Sequence, residues 1–201
     1  MKTDTIAAIA TGMSNSGIGI VRISGPEAVE TAEKVYRSKN GNKRLAEQKT
    51  HTVHYGYIYD GDEMIDEVMV LIMRGPNSFT AEDTVEIDCH SGMLVMKKIL
   101  EAVLKNGARA AEPGEFTKRA FLNGRIDLTK AEAVMDLIQS ENEYALKSSV
   151  NQLKGKVYDK IKELREKIIY EIAFIESALD DPEHISTEGY SDKLKVIVDD
   201  L

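Results

Sequence analysis

Two hydrophobic rhythms divide the chain. Up to about residue 106, short apolar runs and period-two alternations are interleaved with 3.6-residue stripes. Residues 5–10 and 18–23 predict two short strands flanking the polar loop TGMSNSG. Ser24-Gly25-Pro26 predicts a helix start, with proline at the first helical position and Ala28, Val29, Ala32, Val35 and Tyr36 on one stripe. Residues 38–49 are polar and lysine-rich and read as a mobile loop. Val53, Tyr55, Tyr57 and Tyr59 alternate as in a strand, Asp60-Gly61-Asp62 is a hairpin signal, and residues 68–73 form the return strand. Thr84–Cys89 reads as a further strand. Met93, Met96, Ile99, Leu100, Val103 and Leu104 then mark a helix that stops near Asn106-Gly107. This order predicts an α+β or α/β domain in which meander pairing and crossovers are mixed.

From Thr129 the rhythm is helical only. Ten apolar positions from Leu146 to Leu179 recur in nine steps over 33 residues, or 3.67 residues per step. An unbroken helix from Lys130 to Leu179 would be about 75 Å long, and an α/β domain covers only one end of such a stripe. A last helical pattern (Leu194, Ile197, Val198, Leu201) runs to the final residue without a capping signal. The expectation is therefore an incomplete bundle of long helices, finished by further chain or by a second molecule. Between the two rhythms lies PGEFTKRAFLNGRIDLTKAEAVMDLI, residues 113–138. Pro113-Gly114 and Asn123-Gly124 are turn signals, and Phe116, Ala120 and Phe121 share one side of a short helix. Thr129 followed by Glu132 reads as a capping box. The domains are placed at residues 1–118 and 119–201.

Composition narrows the class. Hydrophobic residues at 42% and charged residues at 30% are ordinary for a soluble globular protein. A net charge of −8 argues against clamping nucleic acid over the whole surface and leaves only a local basic patch open. The single cysteine, Cys89, excludes an internal disulfide and a cysteine-rich zinc site, and fits a cytosolic compartment. The sequence shows neither a signal-peptide pattern nor a run of about 20 apolar residues.

Candidate chemistry is concentrated in a few stretches. Gly17-Ile18-Gly19 has Arg22 where a dinucleotide fingerprint needs a third glycine, and Ile18-Gly19 replaces the lysine and hydroxyl residue of a phosphate loop. GPNSFTAEDTVEIDCHSG is richer. Alternation puts Val85 and Ile87 on one side of its strand, with Glu86 and Asp88 on the other. A carboxylate on an inner strand needs a partner. Either an amidine-like edge such as a pterin's, with two parallel N–H donors, or an arginine such as Arg22 would satisfy Glu86. Arg22 in turn stands in the apolar strand GIGIVRISG and needs an anion. His51, His54 and His184 have no ligand spacing to Cys89-His90, so Cys89 reads as a small buried hydrophobe and no metal site is expected.

DTIAAIATGMSNSGIGIVRISG (residues 4–25), GPNSFTAEDTVEIDCHSG and PGEFTKRAFLNGRIDLTKAEAVMDLI together closely resemble the MnmE (TrmE) family of tRNA uridine-modification GTPases, in order and over essentially the whole chain. The resemblance implies a mixed-sheet amino-terminal domain that binds tetrahydrofolate and dimerises. It implies next the first part of a helical domain, into which a Ras-like GTPase domain is inserted. By the same resemblance, Arg22, Glu86 and Arg125 contact 5-formyl-tetrahydrofolate or 5,10-methylenetetrahydrofolate near the dimer interface, with Glu86 on the pterin edge. Some relatives carry lysine in place of Arg125, and TGMSNSG departs from their proline- and glycine-rich loop. For the complete protein the resemblance implies GTP hydrolysis with Mg2+ and K+, and a flavoprotein partner, MnmG (GidA), in a heterotetramer. It also implies addition of an aminomethyl-type group to wobble-uridine C5 of tRNA, in the cytoplasm and away from membranes. No catalytic or metal-binding residue is assigned to these 201 residues. Two other readings stay open: a self-contained folate-dependent one-carbon transferase using Asp88, His90 or Glu115, and a structural dimerisation scaffold in which Arg22, Glu86 and Arg125 form internal ion pairs.

Overall fold

The computed structural model describes residues 4–12, 16–39, 41 and 43–199. Residues 13–15 of the TGMSNSG loop, 40 and 42 of the lysine-rich loop, and Leu201 of the last stripe lie outside the described residues. The chain divides into two compact units, Met1–Asp127 and Leu128–Leu201.

A seven-stranded mixed sheet organises the first unit. In chain order it contains β1 (Ile6–Ile9), β2 (Gly19–Ser24), α1 (Ala28–Val35), β3 (Tyr36–Ser38), β4 (Thr52–Asp60), β5 (Glu63–Met73), β6 (Thr84–Cys89), α2 (Met93–Lys105), β7 (Arg109–Ala110) and α3 (Glu115–Leu122). The strands lie in the order β3-β4-β5-β6-β2-β1-β7. Neighbours are antiparallel except β1 with β7. The sheet's centre is therefore β6 beside β2, which are far apart in sequence.

One face of the sheet makes the core. Val21, Ile23, Ile58, Val70, Ile72, Val85 and Ile87 meet Val29 and Val35 of α1 and Met96, Ile99 and Val103 of α2, all almost fully buried. Cys89 belongs to this core, and burial pushes its thiol up to about 11, so it is an inert packing residue. α1 starts at Ala28, later than the proline signal suggests. The delay comes from a tight turn at Gly25 (φ 136°), where a Cβ would stand 2.7 Å from the Thr5 Cα. The lysine-rich loop is better anchored than its composition predicts: its start pairs as β3, and Leu45, 1% exposed, pins a 3-10 turn at Leu45–Glu47.

The second unit holds α4 (Leu128–Ile138), α5 (Glu143–Leu153), α6 (Lys156–Asp180) and α7 (Tyr190–Asp199). The single helix considered for residues 130–179 is thus three helices. Asn142 caps α5, its side chain accepting the Ala145 N–H at 2.9 Å, and Gly155 at φ 82° separates α5 from α6. Asp127 rather than Thr129 precedes the first helical residue of α4, so the capping box expected at Thr129 does not open the helix. Val157, Ile161, Ile168, Ile172 and Leu179 keep the long stripe 40–75% exposed. α7 is tied to α6 by the largely buried Glu171, which accepts from the Tyr190 hydroxyl at 2.6 Å and from Lys193 at 2.8 Å. The Tyr190 ring also stacks on Phe174 at 4.8 Å.

Candidate functional site

Arg22 and Glu86 are direct cross-strand partners on β2 and β6, on the sheet face opposite α1 and α2. Arg22 Nε donates to Glu86 Oε1 at 2.7 Å, so the internal ion pair considered for these two residues is present. Their side chains are 28% and 15% exposed. The pair uses only one atom of each group. Among the described residues, the Arg22 Nη atoms and Glu86 Oε2 make no other hydrogen bond.

Two aromatic rings complete the cluster. The Arg22 guanidinium carbon lies 5.9 Å from the Phe79 ring centroid and 5.6 Å from that of Phe116. Arg125 approaches the same Phe79 ring at 5.4 Å. Phe79 thus links Arg22 to Arg125, and cation–π attraction holds both arginines at its ring. All three residues singled out in the sequence come together. Phe79 was missed because an isolated phenylalanine in a loop carries no periodic signal, and Phe116 was read only as part of the apolar side of a short helix. Of the aromatics assigned to one side of α3, Phe116 is half-buried, while Phe121 is 41% exposed.

α3 and the segment before β6 set this geometry. Arg119 of α3 is 6% exposed. It donates to the Asp4 carbonyl at 2.7 Å, to Glu82 at 3.2 Å and to Glu115 at 3.1 Å. Glu82 also accepts from the Ser24 hydroxyl at 3.0 Å, and Ser24 meets Thr80 at 2.7 Å. The Asn123 amide donates to the Thr80 carbonyl at 2.7 Å. Thr80 and Glu82, just after Phe79, are therefore fastened from β2 and from the α3 segment. This binding of α3 to Asp4, just before β1, and to the pre-β6 segment ties α3 into the first unit, which runs to Asp127.

Glu115, one of the acid–base candidates, is committed to this network. It accepts from Arg109 at 2.6 Å, from the Glu112 N–H at 2.8 Å and from Arg119. The Arg109 hydrogen bond is the largest cause holding its carboxyl down at about 2, against an ordinary 4.5. A carboxyl lowered on folding stabilises the fold fully above its unfolded value and loses that contribution as pH falls towards the folded one. Glu115→Gln is accordingly expected to be less stable than the parent at pH 7, and the gap should close between about pH 4.5 and about pH 2. Urea midpoints measured across that range test this; a gap independent of pH would refute it.

One rung along the same face, Asp88 and His90 border an open cavity of about 390 Å³, with Ile18, Tyr55 and Met69. Burial, followed by the charge of Glu86, raises the Asp88 carboxyl above its ordinary range. His90 pairs with Asp66 at 2.8 Å, and this hydrogen bond raises the imidazole's affinity for a proton. Among the described residues no three His, Cys, Asp or Glu side chains stand together as a metal site. No described helix is long and apolar enough to cross a membrane.

Comparison with known proteins matches these elements to two consecutive family models. The model "GTP-binding protein TrmE N-terminus" matches residues 5–125, and "MnmE helical domain" matches residues 128–201. Proteins named "tRNA modification GTPase MnmE" are similar throughout. The one from Lachnoclostridium phytofermentans is 66% identical over 97% of this chain, that from Enterococcus faecalis 52% over 96%, and that from Bacillus subtilis 46% over 96%. The chain spans only 42–43% of the length of those relatives. It belongs to the MnmE (TrmE) family of tRNA modification GTPases, of which it carries the amino-terminal and helical domains.

Proposed function

We propose that this chain is the folate-binding and dimerising part of a tRNA wobble-uridine modification GTPase. The observation that carries the reading is the half-used Arg22–Glu86 pair beside Phe79, Phe116 and Arg125. A reduced pterin presents a flat ring and an amidine edge. Glu86 Oε2 is placed to accept from that edge, while Arg22 and Arg125 supply cationic donors and the phenylalanines apolar ring surface. The chemistry of the donor set therefore fits 5-formyl- or 5,10-methylenetetrahydrofolate, which when bound supplies the one-carbon unit. The chain's own residues bind and orient the ligand.

Exposed Ile18 and Met69 on or beside the uncovered sheet face support homodimerisation through this domain. We extend to the whole protein the activity of the family: GTP hydrolysis with Mg2+ and K+, the flavoprotein partner MnmG, tRNA as substrate and a cytoplasmic location. A self-contained one-carbon transferase retains only Asp88 and His90 as acid–base groups, since two arginines hold Glu115. Calorimetry of the 201-residue chain with 5-formyl-tetrahydrofolate tests the proposal. Saturable heat is expected; no heat at high micromolar ligand from a folded sample would overturn it.

A further inference from the structure

We propose that the bare end of strand β4 is a docking site for the phosphate backbone of RNA. β3 stops opposite Gly56, so among the described residues no strand pairs with residues 52–55 of β4 on that side. A pocket of about 220 Å³ opens there, lined by Lys39, Lys43 and His54 together with Tyr36, Ser38 and Tyr55. No carboxylate lines it, and among the described residues neither Lys39 nor Lys43 has an acidic partner. The neighbouring cations are engaged elsewhere. Arg44 binds Glu33 at 2.7 Å, Arg37 donates to the Gly61 carbonyl at 2.9 Å, and Lys34 donates to the Asn106 carbonyl at 2.8 Å.

In a chain of net charge −8, two lysines without an acidic partner share this concavity with an imidazole, a local excess of positive charge. The His54 imidazole is held below its ordinary proton affinity by burial and then by Lys43, a strain on the charged form that an incoming anion would relieve. The pocket is smaller than the ~300–1,000 Å³ typical of small-molecule sites but roomy enough for a phosphate group. The Lys39 ammonium stands 5.0 Å from the centroid of the Tyr55 ring, itself 42% exposed, so a base next to a docked phosphate has an aromatic surface to stack on. Lysines on edge strands also deter unwanted strand pairing. Lys39, however, lies over a ring on the sheet face rather than along the free edge. Choosing RNA among polyanions rests on the tRNA-modification reading above.

The test is fluorescence anisotropy of a labelled anticodon stem-loop RNA with the 201-residue chain. It compares the parent, Lys39→Gln/Lys43→Gln, and a control of equal charge change on α6, Lys160→Gln/Lys162→Gln. The parent should bind, and the pocket variant should bind at least about fivefold more weakly, with a log–log salt slope shallower by about 1.5, as expected for two lost phosphate contacts. The control should change less than about twofold. Three results would overturn the proposal: no binding by the parent, equal loss in both variants, or, in a parallel sedimentation with phosphatidylserine vesicles, a pocket variant that loses vesicle binding while its RNA binding is unchanged. Competition by inorganic phosphate beyond a chloride control of equal ionic strength would reassign the pocket to free phosphate and likewise refute it. Folate heat measured on the same samples reads the other site, so failure of either idea is seen separately.

Discussion

Replacing Arg119 with methionine is expected to destabilise the first unit by about 3–5 kcal/mol at pH 7, the usual cost of removing one partner from a buried ion pair. Methionine retains most of the apolar stem, so the loss isolates the charged head. That head satisfies the Asp4 carbonyl and three carboxylates: Asp4, at 2.9 Å and largely exposed, and Glu82 and Glu115, whose side chains are 11% and 8% exposed. Glu115 keeps Arg109 after the change, and Glu82 keeps only the hydroxyl of Ser24 among the bonds described above. The orphaned charge is therefore chiefly Glu82. Adding Glu82→Gln to Arg119→Met should restore part of the loss, because the remaining amide costs less to bury than an unpaired carboxylate. Denaturant melts of the parent, single and double variants decide the matter. A single-variant loss below about 1 kcal/mol would mean that the network behaves like an exposed salt bridge.

The second large effect concerns the ligand. Glu86→Gln should weaken binding of 5-formyl-tetrahydrofolate by about 1–3 kcal/mol, roughly tenfold to a hundredfold, because a neutral amide replaces a charge-assisted acceptor. The amide oxygen of the variant can still accept from Arg22 but without its charge, and because that pair is partly solvated the melting temperature should alter little. Affinity and thermal stability are thus expected to separate. Calorimetry alongside thermal melts checks this, and unchanged affinity would remove Glu86 from the binding site even if other residues bind folate.

Much of this was legible in the sequence because the signals were local. Alternation around Glu86 placed Val85 and Ile87 in the core and Glu86 and Asp88 on the open face. Turn glycines bracketed α3, whose flanking Gly114 and Gly124 take φ values of 73° and 72°. The junction's charges were recognised as specific, although their partners were not. Arg119 reaches Asp4 across 115 positions and Glu82 across 37, distances over which no periodicity speaks. β3 was hidden because Tyr36 continues the apolar stripe of α1 and the strand that follows has only three residues. β7, with two residues, is defined by pairing with β1 and not by pattern. The breaks in the long stripe were readable at Asn142 and Gly155, but an apolar period that continues across a turn masks the turn.

The position of Arg22 opposite Glu86 has a consequence for folding as well as binding. Side chains alternate along a strand, so sliding β2 past β6 by one residue would drive one charge of the pair towards the helices and bring an apolar neighbour out. Slipping by two would keep the faces correct but place Arg22 opposite Thr84 or Asp88 instead of Glu86. Only the native alignment both buries the valines and isoleucines and matches the two charges in the middle of the sheet. The residues proposed to hold the ligand therefore also act as an alignment mark for two strands whose paired charges lie 64 positions apart in the chain.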